Sequence, residues 1–274
     1  MSNKVNKKTI SKEHEQYLRR IRWRNISIRL TQIIILVLFL ALWEIAANNK
    51  WIDPFITSQP SRVINTLINL NNEGVLWKHI TITLLETITG FILGTIIGTL
   101  IAIGLWWSNF AANVLDPYLV ILNSLPKVAL GPVIIVWIGA GTVSIITMAL
   151  FVSVVVTIIT VLNGFLEVDP DKVKLLKTFG ATKVQIFSKV VFPASIPTII
   201  SALKINVGMS WVGVIVGEFL VSKAGLGYLI VYGGQVFKLD LVMTSVFILV
   251  VAAAIMYEIV AWLEKKYSRF YLSK

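Results

Sequence analysis

Six stretches of the chain run apolar, at about 30–47, 87–107, 117–138, 143–165, 196–221 and 241–263. Each approaches the roughly 20 residues that an α-helix needs to cross a hydrocarbon core. The pattern therefore predicts an all-α membrane protein with about six transmembrane helices. Between the fourth and fifth stretches the periodicity changes. Residues 167–197 (EVDPDKVKLLKTFGATKVQIFSKVVFPASIP) mix apolar and lysine positions at helical spacing, as a short surface helix would. Here Asp169 can cap a helix starting at Pro170, and Gly180 is the residue type that closes one. Thr182 with Gln185 three positions on makes a capping box for a second helix. Pro193 and Pro197 are expected to end that helix and open the next span. The prediction is two short helices joined by a glycine elbow. Val173, Leu176 and Phe179 line one side of the first helix, and Phe187, Val190 and Val191 one side of the second. Such an elbow either docks into a groove on a partner protein or packs on its own spans.

Composition agrees with the pattern. Of 274 residues 56% are hydrophobic and 14% charged, with a mean hydropathy of +0.81, whereas soluble domains carry about 25% charged residues. There is no cysteine and there are two histidines, His14 and His79, which excludes disulfides and thiolate sites and disfavours a metal cluster. The net charge of +11 is placed for topology, not for nucleic acid. Basic residues gather in the N-terminal segment 1–29, in the 167–193 connection (Lys172, Lys174, Lys177, Lys183, Lys189) and at the C-terminus (Lys265, Lys266, Arg269, Lys274). The opposite loops hold Lys50, Arg62, Lys78, Lys223 and Lys238. An even span count puts the richer set on one face, which the positive-inside rule makes cytosolic along with both termini. Residues 17–29 read as a surface helix or as part of a disordered tail, and not as a signal peptide.

Gly90, Gly94 and Gly98, with Ala102 continuing the row, put small residues on one face of the second span. That is a packing seam, within the chain or between subunits. Among ionisable residues in spans, Glu218 is a candidate for the path or gate, or an interfacial carboxylate, with Lys223 as a prospective partner. Lys127 is a second path candidate, and Lys127 and Lys204 are both within snorkelling reach of the surface. Glu44 and Glu258 read as interfacial.

At 168–203 the chain resembles the cytosolic signature loop of binding-protein-dependent ATP-binding-cassette (ABC) importer permeases. That loop runs Glu-Ala-Ala, three residues, Gly, about nine residues, an apolar position and Pro. Gly180-Ala181 match the glycine step, and Phe187, Val190 and Pro193 match the tail. Lys174-Leu175-Leu176 stands where the family has Glu-Ala-Ala, so an ionic contact made by that acid is absent or reversed here. Asn123-Ser124-Leu125-Pro126-Lys127, Trp137-Ile138-Gly139 with Gly141, Gly217-Glu218-Phe219-Leu220, and Ala224-Gly225-Leu226-Gly227-Tyr228-Leu229-Ile230 are similar to the nitrate/sulfonate/taurine branch. The likeness covers about 87–265.

The resemblance implies the type I ABC-importer permease fold. It also implies a loop that enters a cleft of a partner ATPase, with Asp169, Lys174, Leu176, Gly180, Ala181, Phe187 and Pro193 at the coupling positions. Two permease subunits, identical or different, would face each other, and an extracytoplasmic binding protein would deliver solute. ATP and Mg would be bound by the partner ATPase, since this chain lacks a GxxxxGK[ST] loop. The expected organisation is a basic segment 1–29, a first span and loop 30–85, a core permease domain 86–265 with coupling loop 167–195, and a tail 266–274. Thiamine- or riboflavin-precursor import is the alternative substrate class. An ion-coupled transporter would need related halves with buried carboxylates, and a membrane enzyme would need a polar catalytic cluster. Neither signature stands out.

Overall fold

The computed structural model describes the backbone of residues 12–272 and the side chains of residues 16–266. Those residues form helices joined by short connections, with no strand among them. In chain order these are α1 (Lys12–Asn48), α2 (Pro54–Thr57), α3 (Pro60–Asn72), α4 (Leu76–Trp107), α5 (Asn109–Ser124), a 3₁₀ turn (Lys127–Leu130), α6 (Gly131–Ile138) and α7 (Thr142–Leu166). The chain continues through α8 (Pro170–Thr178), α9 (Lys183–Ile186), a π turn (Phe187–Val191), α10 (Phe192–Val221), α11 (Leu226–Gln235) and α12 (Leu239–Leu272).

Chain contacts separate two units, Met1–Ile64 and Asn65–Lys274, the division falling inside α3. In the first unit, residues 1–11 of the basic segment lie outside the described residues. From Lys12 the chain is one helix through Asn48. With neither glycine nor proline in that stretch, nothing stops it, so the part from residue 12 to 29 is helix continuous with the span. Glu44, expected at an interface, accepts hydrogen bonds from the backbone N–H (3.0 Å) and hydroxyl (2.9 Å) of Ser61, in the first turn of α3. It supplies an acceptor where a helix start has unpaired donors.

The described helices include five that are long and apolar enough to cross a membrane, and α5 with the 3₁₀–α6 segment can form a sixth, bent by 87°. This revises the third expected span, taken as one helix between Pro117 and Ile138. Pro117 sits inside α5. The break comes at Pro126, where Leu125 is extended (φ −62°, ψ 139°) as residues before proline tend to be.

The second unit is organised around α7, which packs between α4 and α10. Between membrane helices there is little hydrophobic drive, so attraction comes from close approach, and the sequence supplies small residues for it. A methyl group added at Gly90 would lie 2.7 Å from Ala149 Cβ, and at Gly98 2.6 Å from Thr157 Cβ, while Gly94 faces Ser153. The glycine row of α4 thus meets an Ala149–Ser153–Thr157 row on α7. From the other side, Gly213 of α10 faces the Ala149 backbone and Gly217 faces Ile145. The seam is internal to the chain. Thr83 of α4 bonds Glu218 of α10, and Thr95 bonds Asn206 at 2.8 Å. The equal spacing of these links along both helices sets them antiparallel.

Candidate functional sites: an exposed elbow and a buried carboxylate network

The elbow forms by the local rules its sequence contains. Asp169 Oδ1 accepts from the Asp171 N–H (2.9 Å), and Pro170 opens α8. Gly180 adopts φ +75°, with nothing within 4 Å of where a Cβ would stand. Its N–H donates to Lys177 O and that of Ala181 to Leu176 O, both at 3.0 Å. These are the two bonds of a Schellman closure, which favours glycine at its left-handed position. Thr182 and Gln185 then make the reciprocal capping box. The second helix does not end at the prolines. α9, the π turn and α10 form one continuous helical run, Lys183–Val221. Proline has no N–H and its ring crowds the carbonyl four residues back, here that of Lys189. The chain accommodates Pro193 by widening the preceding turn, so that the Phe192 N–H donates to Phe187 O.

The elbow's apolar residues divide into two sets. Val173, Leu176, Ala181 and Phe187 pack against a core formed by Val161, Phe165, Ile186, Val191 and their neighbours. Leu176 and Phe187 are therefore anchored in the chain's own core, the second of the two arrangements the sequence left open for these faces. Leu175 (56% exposed), Phe179 (77%) and Val184 (60%) cluster in sequence around Gly180 and project from the tip. Of these, Leu175 and Val184 went unrecognised as tip residues, because helical periodicity marks an apolar face but not which face is already occupied. Lys174 is exposed and pairs with Asp171 at 3.4 Å, within α8.

At the opposite end of α10, Glu218 is 1% exposed. It is enclosed by neighbouring helices of its own chain. Its Oε1 accepts from the Thr83 hydroxyl (2.6 Å) and its Oε2 from the Gly227 N–H (2.5 Å). The Leu226 N–H donates to Thr83 Oγ1 (2.8 Å) and the Gly225 N–H to His79 Nδ1 (2.9 Å). Three successive N–H groups at the start of α11 are thus taken up by side chains of α4 and α10, and a carboxylate there also suits the helix dipole. The glycines are obligatory: a Cβ at Gly225, whose φ is +120°, would lie 2.5 Å from the Glu218 carboxyl, and one at Gly227 2.8 Å from it. Tyr228 stacks on His79 with centroids 6.0 Å apart.

Glu86 joins the same network. Its carboxyl lies beside that of Glu218, with Oε2 buried and without a hydrogen-bond partner. Sequence reading missed Glu86 because the second span was taken to start at 87. α4 starts at Leu76, which puts Glu86 inside the helix and 3% exposed. A charged residue within a span was the available signal.

The remaining candidates engage their own neighbours. Lys127 donates to Asn123 O (3.1 Å), satisfying a carbonyl at the end of α5, and Lys204 is ion-paired with Glu264 of α12. Glu258 is exposed on α12. The structure does not bring Lys127 into the Glu218 network.

Over residues 90–269 the chain matches the family described as binding-protein-dependent transport system inner membrane component. It is 30% identical over 234 residues (85% of this chain, 95% of the relative) to a probable ABC transporter permease protein of Haemophilus influenzae. It is 26% identical over 234 residues, 85% of each chain, to the putative aliphatic sulfonates transport permease protein SsuC of Bacillus subtilis. It is 24% identical over 245 residues (86% of this chain, 88% of the relative) to the taurine transport system permease protein TauC of Escherichia coli. Among solved structures, a bacterial ABC transporter involved in import of the acidic polysaccharide alginate aligns with a TM-score of 0.63 and 15% identity, covering 92% of this chain and 99% of that one. An inward-facing form of the MetNI methionine ABC transporter aligns at 0.62 and 19%, covering 70% and 95%. At these identities the two structures bear on the fold alone.

Proposed function

The chain belongs to the binding-protein-dependent transport system inner membrane components, the permeases of ABC importers, and from that premise we propose how it is driven and what it carries. The elbow is the element through which a separate ATPase drives the spans. ATP and Mg belong to that partner. Residues 86–265 form the permease core with 167–195 as its coupling loop, flanked by 1–29, 30–85 and 266–274. The elbow end, rich in lysine, faces the cytosol together with both termini; an extracytoplasmic binding protein delivers solute at the other face. Two such subunits, or this one and a second permease, enclose the path. The solute is a small organic sulfonate or taurine-like compound, the class named for two of the relatives.

The observation carrying this reading is the exposed trio Leu175, Phe179 and Val184. It stands on an elbow that is capped at both helix starts, closed by glycine and anchored by its other apolar face. An apolar tip on a rigid support suits insertion into a groove. Phe179→Asp tests it, since the side chain contributes exposure and not core. The variant is expected to remain folded in detergent and to lose at least about tenfold in affinity for its ATPase, as truncated interface anchors do. Undiminished co-purification and undiminished solute-stimulated ATP hydrolysis in proteoliposomes would remove the elbow from the coupling path.

A further inference from the structure

The elbow is joined to α7 and α10 by the chain itself, but to α4 only by side chains. α4 ends at Trp107, where the last carbonyls of a helix lack partners. The Lys183 amine, 76 positions away and just past the glycine turn, donates to Trp107 O at 2.6 Å. The same ammonium stands 5.5 Å from the centre of the Trp106 ring. A cation at a helix C-terminus is favoured by the dipole, and over an indole face by the ring quadrupole. One turn further on, Phe187 packs on Trp106 (4.9 Å between centroids), Trp107 (5.7 Å) and Phe165 of α7 (5.4 Å).

We propose that Lys183, with Trp106 and Trp107, clamps the elbow to the end of α4 and is the positioning residue that makes α4 follow when the elbow moves. α4 is the helix that must be carried along. It holds the glycine seam against α7 at its centre, and its Thr83 reaches Glu218 at its far end. Without the clamp the elbow could tilt with α10 while α4 stayed behind. Lysine fits the site because its ammonium is a compact charge on a long stem, able to reach a carbonyl and an indole together.

This inference rests on the elbow being the docking element, and the test separates the two. Lys183→Met keeps the stem and removes charge and donor, while Lys183→Arg keeps both. In proteoliposomes with the ATPase and a solute-loaded binding protein, the methionine variant is expected to co-purify with the ATPase as the parent does. Its solute transported per ATP hydrolysed should fall about tenfold, the scale of losing a charged hydrogen bond together with a cation–π contact. Arginine, which keeps the charge and the contact with the indole, should restore much of the ratio. The chain has no cysteine, so spin labels placed at Asn109 and Ser188 report the clamp directly. Their separation should stay narrow through the nucleotide cycle in the parent and broaden in the methionine variant. Trp106→Leu, which retains apolar packing, should give an intermediate loss. A parental transport ratio in Lys183→Met, or a label separation unchanged from the parent, overturns the clamp. So does loss of ATPase association, which would make Lys183 a docking residue. The docking reading itself fails through Phe179→Asp, independently of these results.

Discussion

At its N-terminal end α10 grows out of the elbow, where Leu175, Phe179 and Val184 stand exposed. At its C-terminal end Glu218 is sealed from solvent and bonded to two other helices. Both ends were prominent in the sequence, one for an amphipathic loop and the other for a charge inside a span. The structure resolves them in opposite directions. At the elbow, backbone requirements are met locally by caps and a glycine, which leaves side chains free for a partner. At the far end, side chains from α4 and α10 meet the backbone requirements of α11. Prominence in the sequence thus marks constraint, and the structure decides whether that constraint is internal.

The contrast predicts that substitutions at the Glu218 end register in stability and those at the elbow in association. The largest effect is expected from Glu218→Ala. It leaves the Gly227 N–H without its acceptor in a buried site, leaves the Thr83 hydroxyl only the His79 carbonyl and opens a cavity, a loss of about 3 kcal/mol. Denaturant unfolding in detergent measures it, and a loss under about 1 kcal/mol would mean that the network holds nothing together. Gly225→Ala should follow at roughly 2 kcal/mol, because a side chain must adopt φ +120° and also displace the carboxyl 2.5 Å away. The smallest effect is expected from Lys174→Glu, which restores the acid of the family's loop pattern. Its partner Asp171 is as exposed as Lys174 itself, so stability should change by less than about 0.5 kcal/mol. A change in ATPase affinity beyond tenfold would shift the site of docking from the apolar tip to this charge.

Much of the elbow was legible in advance: Asp169, Pro170, Gly180 and the Thr182–Gln185 box all act where their spacing placed them. The glycine row of α4 was legible as a seam, though not its partner row on α7. The broken third span was less so, since prolines at 117 and 126 both offer a break and the chain breaks only at the second. Glu218 was legible as exceptional, but its role was not, for its partners Thr83 and Gly227 come from two different helices.

What the sequence determined by itself is whatever is settled within a few residues along the chain: the apolar lengths that cross a membrane, the caps that start helices and the glycine that turns the elbow. What only the tertiary structure decided is everything joined across the chain. That includes which elbow face is occupied, why Gly225 and Gly227 must be glycine, and how Lys183 meets the end of α4. The reason is physical. Caps and φ preferences act between near neighbours, whereas the bonds of Lys183 to Trp107 and of Thr83 to Glu218 span 76 and 135 positions. They exist only once the helices have packed.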